Sequence, residues 1–318
     1  MKLILATGLF FSNTALFAAD LSGLSTHIAS YNRDGSFSVS KDVFMVVVDP
    51  LGRETGYNPF TNTWKRDIPY SGSGSDTIDD AETGAPGPAD FGVHVTESVM
   101  SGKYDFKVYG LRNVQYILEI NIDNSAGSGT AFELKDYISS GTISLYSLQF
   151  DPAPGAPAPV IIKTITFVNL RGDVTVARQL NQLGDDRFAS SLIKNIDLAE
   201  KLSGVCNKRK AKKDKCEPAI AVLELFIKRL ELANRKCDNP ADCDEERELA
   251  AFRKEHGRDA DYHDFFRDLD RDDWHKHKKS SKRFATDEAL KIISEDAGWL
   301  IKSLGGAVED NRDKGKKD

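Results

Sequence analysis

Nine residues constrain this chain more than any others. Asp151-Pro-Ala-Pro-Gly-Ala-Pro-Ala-Pro159 places four prolines where a helix or a central strand would need backbone donors. The stretch reads as a semi-rigid spacer, and the residues on its two sides have different rhythms. From residue 20 to residue 150 Gly, Pro, Asn and Asp recur every few residues. Between them lie short runs rich in β-branched and aromatic side chains: Val43 to Val48, Phe91 to Val95, Tyr104 to Tyr109, Tyr116 to Ile122 and Thr142 to Phe150. In the third run Tyr104, Phe106 and Val108 alternate with Asp105 and Lys107, the period of a half-buried strand. Many short strands without helical period predict an antiparallel β-sandwich over 20–150.

Beyond the spacer the period becomes helical. Apolar positions repeat at three and four over Val168–Leu183, Phe188–Leu202, Pro218–Ala233 and Asp287–Leu304, with Gly305-Gly306 as a stop. Four amphipathic helices predict a four-helix bundle over 160–308, each helix burying one stripe. The fold class is therefore multidomain α+β. Residues 238–283 hold 14 acids and 11 bases among few aliphatics and read as a charged insertion; 309–318 is a polar tail. One segment resists this division. Val160 to Val168 reads as a strand, and if it pairs back onto the sandwich the boundary moves towards the C-terminus.

The N-terminus carries an address. Met1-Lys2, an apolar run to Phe17 and Ala18-Ala19-Asp20 form the three parts of a secretory signal over 1–19. No later stretch offers the 18 apolar residues of a membrane span, so an extracytoplasmic location (periplasm or cell surface) is expected, with no integral membrane segment after cleavage. In that compartment Cys206, Cys216, Cys237 and Cys243 are expected to pair locally as two disulfides, Cys206–Cys216 and Cys237–Cys243. Loop spacings of ten and six residues suit a four-thiolate zinc site poorly.

Two runs of residues carry a resemblance. Asp49-Pro-Leu-Gly-Arg-Glu-Thr-Gly-Tyr-Asn-Pro59, Ile68-Pro69, Asp79 to Pro88, Gly102-Lys103-Tyr104 and Tyr116 to Ile120 resemble a β-sandwich module of bacterial surface and secreted proteins. That module is similar to bacterial pre-peptidase C-terminal domains. The helical half, at Ala219 to Lys228 and Asp296 to Ile301, is similar to the FIMAH-type domain. The charged insertion and the Cys237–Cys243 pair fall outside that pattern. Together these resemblances imply extracellular accessory modules without assigned catalysis.

The motif search agrees with a non-enzyme. There is no P-loop, dinucleotide fingerprint, HExxH or GxSxG elbow, and Gly72-Ser-Gly-Ser75 reads as a flexible loop. A net charge of −6 argues against specific nucleic-acid binding. Three weaker features remain. Asp76, Asp79, Asp80 and Glu82, with Asp49 nearby if strand ends meet, form an acidic turn suited to calcium; solvated turn-capping is the plainer reading. His263, His275 and His277 stand among aspartates of the insertion, an alternative zinc, copper or iron site. Lys208, Arg209, Lys210, Lys212, Lys213 and Lys215 form a basic patch for an anionic surface polymer. The expected function is an exported, non-catalytic bacterial interaction or adhesion accessory protein, contacting such a polymer or another surface protein. The alternatives are a metal-dependent extracellular protein and a structural spacer. Export predicts cleavage after Ala18 or Ala19; N-terminal sequencing of the exported protein that starts at Met1 would refute it.

Overall fold

The computed structural model describes residues 22–31, 42–77, 89–96, 99–184, 186–208, 216–234 and 285–306. Eleven strands come first: β1 (Gly23–Tyr31), β2 (Val43–Val48), β3 (Glu54–Asn58), β4 (Thr63–Arg66), β5 (Ser71–Thr77), β6 (Ala89–Thr96), β7 (Gly102–Gly110), β8 (Val114–Asp123), β9 (Gly129–Ile138), β10 (Ile143–Phe150) and β11 (Val160–Thr164). Among the described residues four helices follow: α1 (Phe167–Gln179), α2 (Asp186–Lys208), α3 (Glu217–Asn234) and α4 (Asp287–Ser303). The strands form two antiparallel sheets, ordered β5-β6-β1-β8-β9 and β11-β10-β7-β2-β3-β4. This is the α+β architecture expected from the two rhythms.

The alternation read from the sequence sets the sandwich core. Tyr104, Phe106 and Val108 of β7 face Leu118, Ile120 and Ile122 of β8 and Leu24 and Ile28 of β1 across the two sheets, all nearly without solvent contact. The first strand was less legible. Its inward positions are Leu24, Thr26, Ile28 and Ser30, so half of its buried face is polar. Thr26 donates to the Val93 carbonyl at 3.2 Å, the partner a buried hydroxyl requires.

Gly72 to Ser75 departs from expectation. These residues are not a loop but part of β5, paired with β6 so that Gly74 lies opposite Gly92. An edge strand needs only its backbone ladder, and small residues supply that without any β-branched signal. Asp76 stands in the same ladder, opposite Asp90, instead of in a turn. Asp49 follows β2 in the other sheet. Its carboxylate accepts from the backbone N–H groups of Leu51 and Arg53, each at 2.9 Å, and from Arg53 Nε at 2.6 Å, closing its own turn.

Val160–Thr164, grouped above with the helices, is the edge strand of the second sheet. It runs antiparallel to β10 with Tyr146 opposite Lys163. The prolines thus bridge two neighbouring strands, and the sandwich extends to Thr164.

Immediately afterwards Thr166 caps α1: its Oγ1 accepts from the Asn169 N–H at 3.2 Å while the Asn169 side chain accepts from the Thr166 N–H. The helix stops at Gln179, short of the expected Leu183, because Asn181 turns left-handed at φ 58°. Leu183 then bridges to Ala285, just ahead of α4. Thr286 caps α4 through the Ala289 N–H at 3.1 Å, with Asp287 and Glu288 in the first turn, where the helix dipole favours acids.

The helices pack α1 on α2, α2 on α3 and α4 on α3 and α1. Leu170, Val174, Leu192, Ile196, Leu223, Phe226, Ile293 and Ala297 line their core. Tyr137 of β9 and Ile165 belong to that helical core, so α1 lies directly on the sandwich.

Gly56 tests the sheet. It sits in β3 at φ 132°, and a Cβ there would lie 2.2 Å from the Met45 carbonyl oxygen of β2. Gly56→Ala should destabilise the chain by at least about 2 kcal/mol. Gly52→Ala, also at positive φ but with no neighbour within 4 Å, should cost less. Urea midpoints of the two variants check the order.

Candidate functional site

Edge strand β9 of one sheet contacts α1 and α4, and edge strand β11 of the other contacts α4. This seam between sandwich and helices is charged. β9 contributes Asp136, β11 contributes Lys163, α1 contributes Asp173 and α4 contributes Asp296, and the three carboxyl side chains are nearly fully buried. Register explains the neighbours. Tyr116 lies opposite Asp136 across β8–β9, and Tyr146 lies opposite Lys163 across β10–β11, so both hydroxyls meet over one carboxylate.

Lys163 Nζ lies 2.5 Å from Asp136 Oδ2 and 2.6 and 2.7 Å from the two oxygens of Asp296. Asp136 also accepts from Tyr116 Oη at 2.9 Å, from Tyr146 Oη, and through Oδ1 from the Tyr137 N–H at 2.8 Å. The two tyrosine hydroxyls are 2.6 Å apart. Asp173 differs from the others: its Oδ2 is buried without a hydrogen-bond partner.

Three carboxyls surround one ammonium, and the site relieves the excess by holding protons. Burial first, and then the neighbouring Asp296, push Asp173 well above the usual carboxylate range. Burial also raises Asp296, to about 6, against the opposing pull of Lys163. For Lys163 burial works against the ammonium, but Asp136, Asp296 and Asp173 together outweigh it and raise its value. Burial, reinforced by Asp136, lifts both tyrosines well above 10, so they remain donors.

Oxygens of Asp136, Asp173 and Asp296 lie within 4.8 Å of one another, a spacing that a hard cation would accept. Here Lys163 is that cation, with its ammonium bonded to two of the three carboxyls. Around this cluster further polar contacts tie sheet to helix. Tyr137 Oη donates to Gln182, whose Nε2 donates to Gln115 Oε1 at 2.8 Å.

None of these residues was singled out from sequence as a site residue. Asp136, Asp173 and Asp296 are more than thirty residues apart, and only the fold brings them together. The residues that were singled out are placed elsewhere. Cys216 is a free thiol ahead of α3, so the structure does not form the expected Cys206–Cys216 disulfide. Cys206 rides on the last turns of α2, ten residues away in sequence, and local spacing alone does not bring two thiols to bonding distance. Lys208 ends α2. Arg209, Lys210, Lys212, Lys213, Lys215, Asp79, Asp80, Glu82, Cys237, Cys243, His263, His275 and His277 lie outside the described residues.

A second feature occupies the opposite edge of the β11-to-β4 sheet. Trp64 on β4 is 59% exposed, yet its ring stands 4.8 Å from Tyr57 and 6.0 Å from Phe91. Tyr57 and Phe91 each pack edge-on against Phe44, deep in the core. Phe60, at the turn between β3 and β4, packs edge-on against Tyr109, and Tyr70 is 66% exposed nearby in sequence. These are ordered aromatic faces left open to water.

The chain matches no family model, no curated protein and no solved structure. Among the described residues its architecture is two antiparallel sheets followed by four helices.

Removing the central cation tests the buried cluster. Lys163→Met keeps the stem and orphans the carboxyls, which should cost about 3–5 kcal/mol at pH 8. The cost should be smaller at pH 5. Lys163 lowers both Asp173 and Asp296 against burial, so its removal raises them further; the variant's native state then holds more protons than the unfolded chain over a wider range, and it loses more stability than wild type as pH rises. Urea midpoints at the two pH values check both statements.

Proposed function

We propose that this chain is an exported, non-catalytic interaction module of the bacterial surface or matrix, and that its β3–β4 edge binds a polysaccharide. The observation that carries this reading is Trp64. An exposed indole held between Tyr57 and Phe91 has little side-chain freedom left to lose on binding. It offers a flat apolar face with a polar handle, the complement of a sugar ring with an apolar face and hydroxyl edges.

The rim has matching chemistry. Thr61 and Thr63 share a hydroxyl hydrogen bond at 2.6 Å, and Asn62 accepts from Tyr57 Oη at 2.8 Å. Arg66, two residues beyond Trp64 and therefore on the same face of β4, is exposed and suits an acidic sugar. The signal-like N-terminus supports export, and the resemblance to pre-peptidase C-terminal and FIMAH-type modules supports an accessory role. No helix among the described residues is long and apolar enough to cross a membrane.

Binding of the full chain to purified acidic envelope polysaccharide tests the reading. Trp64→Ala should weaken binding at least about tenfold, as loss of an aromatic anchor does, and leave the melting temperature nearly unchanged. Wild-type protein that does not bind, or a variant that binds equally, would overturn it. Retention by surface proteins alone would assign the same edge to a protein partner instead.

A further inference from the structure

The buried cluster contains the parts of a chemical reaction. Lys163 Nζ is centred on the Asp296 carboxyl, 2.6 and 2.7 Å from its two oxygens. On its other side, at 2.5 Å, stands Asp136, and against Asp296 stands Asp173 with one oxygen unpartnered. An amine nucleophile, a carboxyl electrophile, a proton acceptor and a proton donor share one closed space. We propose that Lys163 and Asp296 condense into an intramolecular amide that joins strand β11 to helix α4.

The step balances without any further reagent. Lys163 gives one ammonium proton to Asp136, which frees the Nζ lone pair. The proton of Asp173 passes to Asp296, making its carboxyl a neutral acid. Nζ then attacks Cγ, the Nζ–Cγ bond forms, one Cγ–O bond breaks, and the oxygen departs as water with a proton from nitrogen. Asp136 is left protonated and Asp173 ionised, so the net charge of the group is unchanged. Nothing is oxidised or reduced.

Three observations favour this course over a permanent ion pair. Asp173 is pushed well above the usual carboxylate range by burial and by Asp296, which supplies the proton where the step needs it. The reacting groups are held together by two sheets and two helices, the arrangement in which an intramolecular reaction gains most. The groups are also nearly fully buried, which keeps bulk water, the reagent of hydrolysis, away from the bond.

Asp296 is the electrophile and not Asp136, because Asp136 already accepts from Tyr116, Tyr146 and the Tyr137 N–H. Those donors hold its carboxylate in place as the proton acceptor. Its role is to activate the amine without itself being attacked.

The inference is independent of polysaccharide binding, and mass spectrometry of the full, denatured chain decides it. The linked chain weighs one water less than its sequence. Trypsin would then spare Lys163 and release residues 136–171 joined to residues 292–302. Recovery of the separate peptides with cleavage at Lys163 would overturn the proposal, and a link from Lys163 to Asp136 would overturn the choice of Asp296. Lys163→Arg, which keeps the charge, should restore the full mass. In freshly refolded protein Asp173→Asn should slow linkage about 100-fold, the contribution expected of a positioned proton donor; an unchanged rate would remove Asp173 from the mechanism. Should either variant fail to fold, the wild-type mass and peptide map alone decide.

Discussion

One buried lysine decides how the two halves of this protein sit together. Lys163 follows the proline spacer directly, on the last strand of the sandwich, and its Nζ reaches carboxyls from the sheet and from α4. Parting the helices from the sandwich would strand buried charge on both sides, which costs far more than separating two apolar faces of the same size. An ordinary hydrophobic contact tolerates sliding; a charge cluster with hydrogen bonds at 2.5–2.9 Å does not. The docking therefore has one register, and Tyr137, Gln182 and Gln115 extend it along the same seam.

That constraint changes what the spacer does. Proline-rich segments between modules often let them reorient. Here the residues after the spacer return to β10 and pair with it from Val160 to Lys163 and Thr164, so the spacer is a loop between adjacent strands, and the helices are anchored within three residues of the sheet. The proposed binding edge at Trp64 lies at the other end of the same six-stranded sheet. Five strand spacings, roughly 24 Å, separate it from the charged seam. A pull on a polymer at the proposed edge would pass across hydrogen-bonded strands to the helices.

Much of this architecture was readable in advance. The alternation of Tyr104, Phe106 and Val108 predicted both a strand and its buried face, because period two leaves only one assignment of sides. The four helical stripes were equally direct; each helix lies within a few residues of its expected span. The errors share a cause. β5, built from Gly and Ser, has no side-chain signal, since its pairing is all backbone. Helix α1 ended early at Asn181, a residue that tolerates a left-handed turn but does not demand one. Cys216 stands as a free thiol where spacing in sequence suggested a bridge.

The candidate site shows the limit more sharply. Asp136, Asp173 and Asp296 resemble any other acids in a chain with 49 of them, and Lys163 any other lysine. Local sequence by itself carried most of the secondary structure and the two rhythms, because those depend on neighbours within a few residues. Only the tertiary structure decided which acids lose their water and share a lysine. Burial depends on every element that packs over a group, and that information is spread across strands and helices more than a hundred residues apart.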